Sequence, residues 1–330
     1  MTTPALQWNR AGYAVRHGFW MRWKTILHEL DMDVAQGTAL GLVGPNGAGK
    51  TTAIKLAAGL ITPAAGSVRV HGMPAASSEA RRRLGLLTET QYIYPHLRVR
   101  EWLGMLAGFS GLKGSRLKER VDAVLELMAL TEKAGMMMNT LSKGQLQRAG
   151  LAQALVHEPE ILLLDEPMSG LDPYWRYRLN NILKEFKASG GTLLFSSHIL
   201  ADVERLSDRV ALLDGGRVRW IGALSEMPRQ VVGYEAVCRT DSPEALKALT
   251  NGNRPERLPQ GEWRIAVPID KKSVLLDLSA QKRIILESLR PMREEIEAVL
   301  FKFAGSGPAP DRKLDKKMDP KPAKQEEQTP

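Results

Sequence analysis

Ala39-Leu40-Gly41-Leu42-Val43-Gly44-Pro45-Asn46-Gly47-Ala48-Gly49-Lys50-Thr51-Thr52 runs a short apolar strand into Gly-x-x-x-x-Gly-Lys-Thr, and a helix-like stretch over 53–60 follows. Strand, glycine loop and helix in that order are the setting a phosphate-holding loop requires. The loop's three glycines let the backbone curl so that successive N–H groups point inward as an anion nest. The helix behind it brings about half a positive charge to its N-terminus. Lys50 reaches the β- and γ-phosphates as a point charge, and the Thr51 hydroxyl is placed for Mg²⁺. Gly44, Pro45, Asn46, Gly47, Ala48, Gly49, Lys50, Thr51 and Thr52 are therefore the candidate nucleotide cradle.

Far downstream, Ile161-Leu162-Leu163-Leu164 is a continuous apolar run ending in Asp165-Glu166-Pro167. Such a run reads as a strand buried on both faces. A carboxylate at its end lies beside the phosphate loop, at the ligand-binding edge of a doubly wound sheet. Asp165 is the candidate for the Mg²⁺ shell. Glu166 is the candidate general base that polarises the attacking water. Loop and acidic pair together make the two halves of an ATPase site, on an α/β fold.

The rest of the 330 residues divides by pattern. Residues 1–40 hold short β-like runs and an aromatic cluster, Phe19, Trp20 and Trp23. Over 225–305 the beat is simpler. Strands are expected at 234–240, 263–269 and 283–288, helices at 243–249, from an Asp270 cap to 278, and at 294–303. That βαβαβα rhythm suggests a small α+β domain. Residues 306–330, rich in Pro, Lys and acids, cannot bury enough apolar surface to offset their ordering entropy and read as a disordered tail. Overall, 43% apolar and 25% charged residues exclude collagen-like, disulfide-framework and fully disordered chains. No apolar run approaches the about 20 residues that span a bilayer. The start, MTTPALQWNR, shows no secretory pattern, and the single Cys238 fits a reducing compartment, so a cytosolic chain is expected. A formal net charge of +9 admits contact with nucleic acid or an anionic membrane without choosing between them.

Leu141-Ser142-Lys143-Gly144-Gln145 resembles LSGGQ, the signature of the ATP-binding subunits of ATP-binding-cassette (ABC) transporters. Ser169-Gly170-Leu171-Asp172 is similar to that family's D-loop, and Ser196-Ser197-His198 to its switch histidine. These motifs stand in family order across roughly residues 5–225. The resemblance implies a phosphate-loop ATPase core over 1–224, with an antiparallel β subdomain and a helical subdomain at about 92–155. Residues 225–305 and the tail would be additions to it. It further implies that two such domains pair head to tail around two ATP molecules, Ser142, Gly144 and Gln145 completing the partner's site and His198 contacting the γ-phosphate. Lys143 departs from the signature's first glycine, either adding charge near the nucleotide or facing solvent. The family's Q-loop falls at Glu89 or Gln91; Glu89 is favoured as the metal- or water-binding acceptor. The aromatic that stacks on adenine falls among His17, Phe19 and Trp20, with Phe19 taken and Tyr13 less suited.

By the same resemblance the chain is the ATPase subunit of a bacterial exporter, on the cytoplasmic face of the membrane, with a separate transmembrane permease. Residues 92–109, with Tyr92, Tyr94, Trp102 and Phe109, would be either permease interface or subdomain core. A soluble ABC ATPase acting on nucleic acid or ribosomes is the alternative. Against it, only one phosphate loop occurs, and the 92 positions between Lys50 and Ser142 show no sustained heptads. No nucleic-acid partner is expected. Arg81-Arg82-Arg83 reads as a solvated basic turn, and Met136-Met137-Met138 as gap filling before the signature. No Cys/His spacing suits a metal, so Mg²⁺ with ATP is the one ion expected.

Overall fold

The computed structural model describes residues 3–18, 21–227, 230–240 and 254–294, with the isolated positions 244, 246, 249, 250 and 299. The chain divides into two compact units, Met1–Glu226 and Met227–Gly305. In the first, strands β1 (Leu6–His17) and β2 (Arg22–Val34) precede β3 (Ala39–Val43) and helix α1 (Lys50–Ala57). Then come β4 (Ala65–Val70), β5 (Met73–Pro74), α2 (Ser78–Arg82) and β6 (Leu84–Leu87). Three helices follow, α3 (Val99–Phe109), α4 (Gly114–Leu127) and α5 (Lys143–Leu155). The unit ends with β7 (Ile161–Leu164), α6 (Pro173–Ala188), β8 (Thr192–Ser196), α7 (Leu200–Leu206), β9 (Arg209–Asp214) and β10 (Arg217–Gly222).

Two sheets organise it. One is antiparallel, in the order β2-β1-β4-β5; the other has six strands in the order β10-β9-β3-β8-β7-β6, parallel except for the β9–β10 hairpin. Side chains alternate across a strand, and β3 shows what that does. Leu40 and Leu42 enter the core shared with α1 and the antiparallel sheet, whereas a Cβ on Gly41 would lie 2.9 Å from Val203 of α7. The central sheet is thus covered on both faces, and β3, β7 and β8 are buried along their whole length. A leucine buried in this way contributes about 1.5–3 kcal/mol. The parallel register Ile161↔Thr192 through Leu164↔Phe195 brings the ends of β7 and β8 level.

The second unit holds β11 (Val231–Arg239), β12 (Glu256–Arg257), β13 (Trp263–Pro268), α8 (Lys272–Ala280) and β14 (Ile285–Arg293), its strands antiparallel in the order β12-β13-β11-β14. Leu246, Leu249, Leu275 and Ile284 pack with Ala236, Cys238, Ile265 and Val267 into its own core. It departs from the expected rhythm in three ways. A short fourth strand, β12, pairs with β13. Asp270 lies inside a 3-10 turn, Ile269–Lys271, rather than capping a helix. The last strand starts at Ile285 and runs on to Arg293, with two register shifts against β11, one of which places Glu287 as an extra residue. The helix expected over 243–249 and the closing helix over 294–303 fall mostly outside the described residues, and the tail over 306–330 does so entirely. Arg81 and Arg82 sit on α2 rather than in a turn, and Arg83 bonds Glu160 at 3.1 Å.

Candidate functional site

β3 ends in a turn that only glycine permits. Gly44 has φ 153°, and a Cβ there would lie 2.0 Å from the Leu213 carbonyl oxygen. Gly49, at φ 104°, heads α1 with its Cα pressed towards Leu27; an added Cβ would sit 2.5 Å from Leu27 Cδ2. The first amides of a helix have no partner within it, and among the described residues no side chain caps those of α1. Lys50 is buried, and its Nζ donates to the carbonyls of Gly44 (2.6 Å) and Pro45 (3.2 Å). Burial pushes the Lys50 pKa down, while Glu166, Asp165 and Glu89 pull it back up. An ammonium has three protons to donate, so the loop carbonyls aim Lys50 without exhausting it.

Across from it, level strand ends place Asp165 beside Ser196. The Ser196 hydroxyl donates to Asp165 Oδ1 at 2.6 Å and accepts from the Glu166 amide at 2.8 Å. Glu166 leaves β7 with φ 51°, a left-handed backbone that costs a residue with a Cβ roughly 1–2 kcal/mol. Gln147 of α5 holds the same segment from the other side, its Nε2 donating to the carbonyls of Glu166 (3.3 Å) and Pro167 (2.9 Å). His198 Nδ1 lies 2.7 Å from Glu166 Oε2. A carboxylate only accepts, so Nδ1 carries the proton. The Glu166 side chain is 15% exposed and that of His198 61%, which puts the histidine at the rim.

These groups wall one cleft of about 720 Å³, lined by Asn46 through Thr52 together with Glu89, Asp165, Glu166, Ser169 and His198. Gly44 and Pro45 lie behind the wall and act through their carbonyls on Lys50. Of the two Q-loop candidates, Glu89 lines the cleft; Gln91 bonds Thr88 O at 2.8 Å and packs on Gly150 of α5. Thr51, Asp165 and Glu89 line the cleft with hydroxyl and carboxylate oxygens, the hard donors that Mg²⁺ prefers. Phe19 and Trp20 lie outside the described residues. His17 is exposed, Tyr13 packs on the core, and Arg16 stacks on Trp23 at 5.1 Å.

Part of this wall belongs to no motif visible in the sequence. Lys24, Thr25 and Ile26 of β2 line it, as do Gly215 and Gly216 of the β9–β10 turn. Gly216 donates to Ala48 O (3.2 Å), accepts from His28 N (2.8 Å), and would put a Cβ 2.1 Å from Ile26 O. The Asp-Gly-Gly run could have signalled a hairpin. Nothing local says that the turn wedges between β2 and the phosphate loop.

Ser142, Gly144 and Gln145 do not line the cleft. Ser142 caps α5, and Ser142 and Gln145 form a reciprocal capping box: Gln145 N donates to Ser142 Oγ at 3.3 Å and Ser142 N to Gln145 Oε1 at 2.9 Å. The Lys143 stem lies along Gly170, where a Cβ would be 3.1 Å from its Cγ and Cε. The aromatics over 92–109 split: Trp102, 2% exposed, is core, whereas Tyr92 is 80% exposed and Tyr94 and Phe109 are likewise on the surface. Of the three methionines, Met138 is buried and Met137 exposed.

A family profile described as ABC transporter matches residues 27–169. An uncharacterised ABC transporter ATP-binding protein of Synechocystis sp., sll0415, is 39% identical over 253 residues, 76% of this chain and 72% of its own length. Its counterpart all4389 in Nostoc sp. is 43% identical over 64% of this chain, and the match spans 64% of that relative, under two thirds of its length. The Nod factor export ATP-binding protein I of Cupriavidus pinatubonensis is 38% identical over 64% of this chain and 66% of its own. A solved ATP-binding subunit of an ABC transporter superposes with a TM-score of 0.61 at 30% identity, over 67% of this chain and 91% of that one. The cassette MJ0796, solved as a dimer, shares the fold with a TM-score of 0.62 at 22% identity, over 66% of this chain and 98% of its own. With the glycine loop, the acidic strand end and the signature helix in place, this chain belongs to the ABC transporter ATP-binding proteins, and its first unit has the ABC ATPase fold.

Proposed function

We propose that the chain binds and hydrolyses ATP to drive a membrane exporter, paired head to tail with a second cassette on the cytoplasmic face of the membrane. One observation carries this reading. Lys50, Asp165 and Glu166 share a cleft with the phosphate loop, while the signature residues Ser142, Gly144 and Gln145 stand outside it at the start of α5. A second copy would bring those donors to the first copy's nucleotide. Loop amides and Lys50 would hold the phosphates, and Glu166, steadied by His198, would take the proton of the attacking water. Thr51, Asp165 and Glu89 would hold Mg²⁺, which when bound supplies positive charge to the phosphate oxygens.

Among the described residues no helix is long and apolar enough to cross a membrane, so the pore would belong to a permease subunit. The exposed Tyr92, Tyr94 and Phe109 suit a protein interface with it. Export, rather than import, is supported by the likeness to the Nod factor export ATP-binding protein. The second unit would regulate or support pairing, in which case removing 227–330 alters dimerisation or turnover. Light scattering of Glu166→Gln tests the central claim. Saturating ATP with Mg²⁺ should double its mass, and a monomer under those conditions would count against head-to-tail pairing.

A further inference from the structure

We propose that Ser196 is a positioning residue for hydrolysis: its hydroxyl sets the direction in which the Glu166 carboxylate enters the cleft. This rests on the ATPase reading of the site. Ser196 is fully buried at the end of β8. Its one proton goes to Asp165 Oδ1 (2.6 Å), because a carboxylate offers no proton in return. That fixes the rotor, and a lone pair is left facing the Glu166 amide at 2.8 Å. The chain Glu166 N–H to Ser196 Oγ–H to Asp165 therefore has a single polarity. It ties the metal-binding and base candidates, adjacent in sequence, to a neighbouring strand.

The bond matters because Glu166 does not rest in an ordinary backbone conformation. Its φ of 51° turns the side chain off the line of β7, where it meets His198 at 2.7 Å. A left-handed residue with a side chain persists only when its surroundings hold it. Here Ser196 holds the amide from β8, and Gln147 holds the carbonyls of Glu166 and Pro167 from α5. Replacing Ser196 by alanine would leave the Glu166 amide without its partner in a partly buried corner. The backbone would relax, and the carboxylate would swing away from the water it must polarise. Ser196 engages only Oδ1 of Asp165, leaving Oδ2 to the metal, and among the described residues the phosphate loop contributes no bond to this chain, so ATP affinity should be spared.

The test compares wild type, Ser196→Ala and Ser196→Thr in the full chain. Steady-state ATPase should give a kcat about 10–100-fold lower for the alanine variant, the usual cost of losing a group that orients a site residue, with KM within about 2-fold of wild type. Threonine, which keeps the hydroxyl, should restore most of the rate. Amide hydrogen exchange at Glu166 should quicken in the alanine variant and not in the threonine one. If Ser196→Ala does not fold, Gln147→Leu loosens the same segment from α5 and should show the same split of kcat from KM. Unchanged kcat, a threonine variant as slow as the alanine one, or unaltered exchange at Glu166 overturns the proposal. A wild type that neither binds nor splits ATP removes the ATPase reading instead, and exchange at Glu166 still decides whether Ser196 holds the segment.

Discussion

Two helices of the first unit, α1 and α5, begin differently. α1 starts bare: Gly49 is left-handed, no side chain bonds the first amides, and a buried lysine and three carboxylates surround the opening. α5 starts complete, with Ser142 and Gln145 closing a capping box on each other. Both ends carry the partial positive charge of a helix N-terminus. An uncapped end leaves its amides available to an anion, whereas a capped end is already satisfied within the fold. Any ligand that α5 serves must approach from outside this copy's cleft.

That contrast sets the order of the expected effects. Glu166→Gln, at the chemical end of the bare cleft, should lower ATP turnover by about two to four orders of magnitude while leaving nucleotide binding intact; a phosphate-release assay reads the rate. Full activity would mean that another base operates. Lys50→Ala should weaken ATP affinity by about 10–100-fold, the worth of a charge-assisted hydrogen bond in a buried setting, and a fluorescent-nucleotide titration checks it. Unchanged affinity would detach α1 from phosphate binding.

Ser142→Ala sharpens the other side. Removing the cap should cost about 1 kcal/mol, a fall in Tm of about 2–4 °C for a unit of this size. ATP affinity of the single copy should stay as it was. If that affinity falls with Ser142, the capped end serves its own cleft and the contrast fails. The smallest effect lies in the second unit. Burial pushes the Cys238 thiol up to about 11 from 9.0. The folded state thus favours the neutral thiol, and Cys238's contribution is complete below about pH 9 and is lost as pH rises through 11. Thiol titration of the native protein at pH 8 should leave Cys238 unlabelled, and Cys238→Ala should flatten the alkaline limb of the unfolding curve.

Much of the cleft could be read without a structure because its parts are local. A glycine pattern before Lys50 and an apolar run before Asp165 each carry their own geometry, so strand, turn and helix follow from neighbours a few residues apart. The resemblance to the ABC family supplied the signature, D-loop and switch histidine by position. Harder to see were residues whose role depends on distant strands. Gly216 reads as half of a hairpin turn, yet it is wedged against Ala48 and Ile26. Trp102 and Tyr92 look alike in sequence and end on opposite sides of the surface. In the second unit the alternation over 283–288 stopped short of a strand that continues past Pro291, because a bulge shifts its inward face from Leu286 to Leu289. Pairing with β11, invisible to a local window, sets where that strand ends.

From the order of residues alone came the phosphate cradle and the acidic strand end, each a pattern within a few residues of chain, and the family, read from the order of such patterns along the chain. Which residues hold Glu166 in its left-handed turn, and which way α5 presents its donors, depended on bringing β7, β8 and α5 together. Those relations rest on register between strands some thirty residues apart, and register is a property of the packed sheet rather than of any one segment.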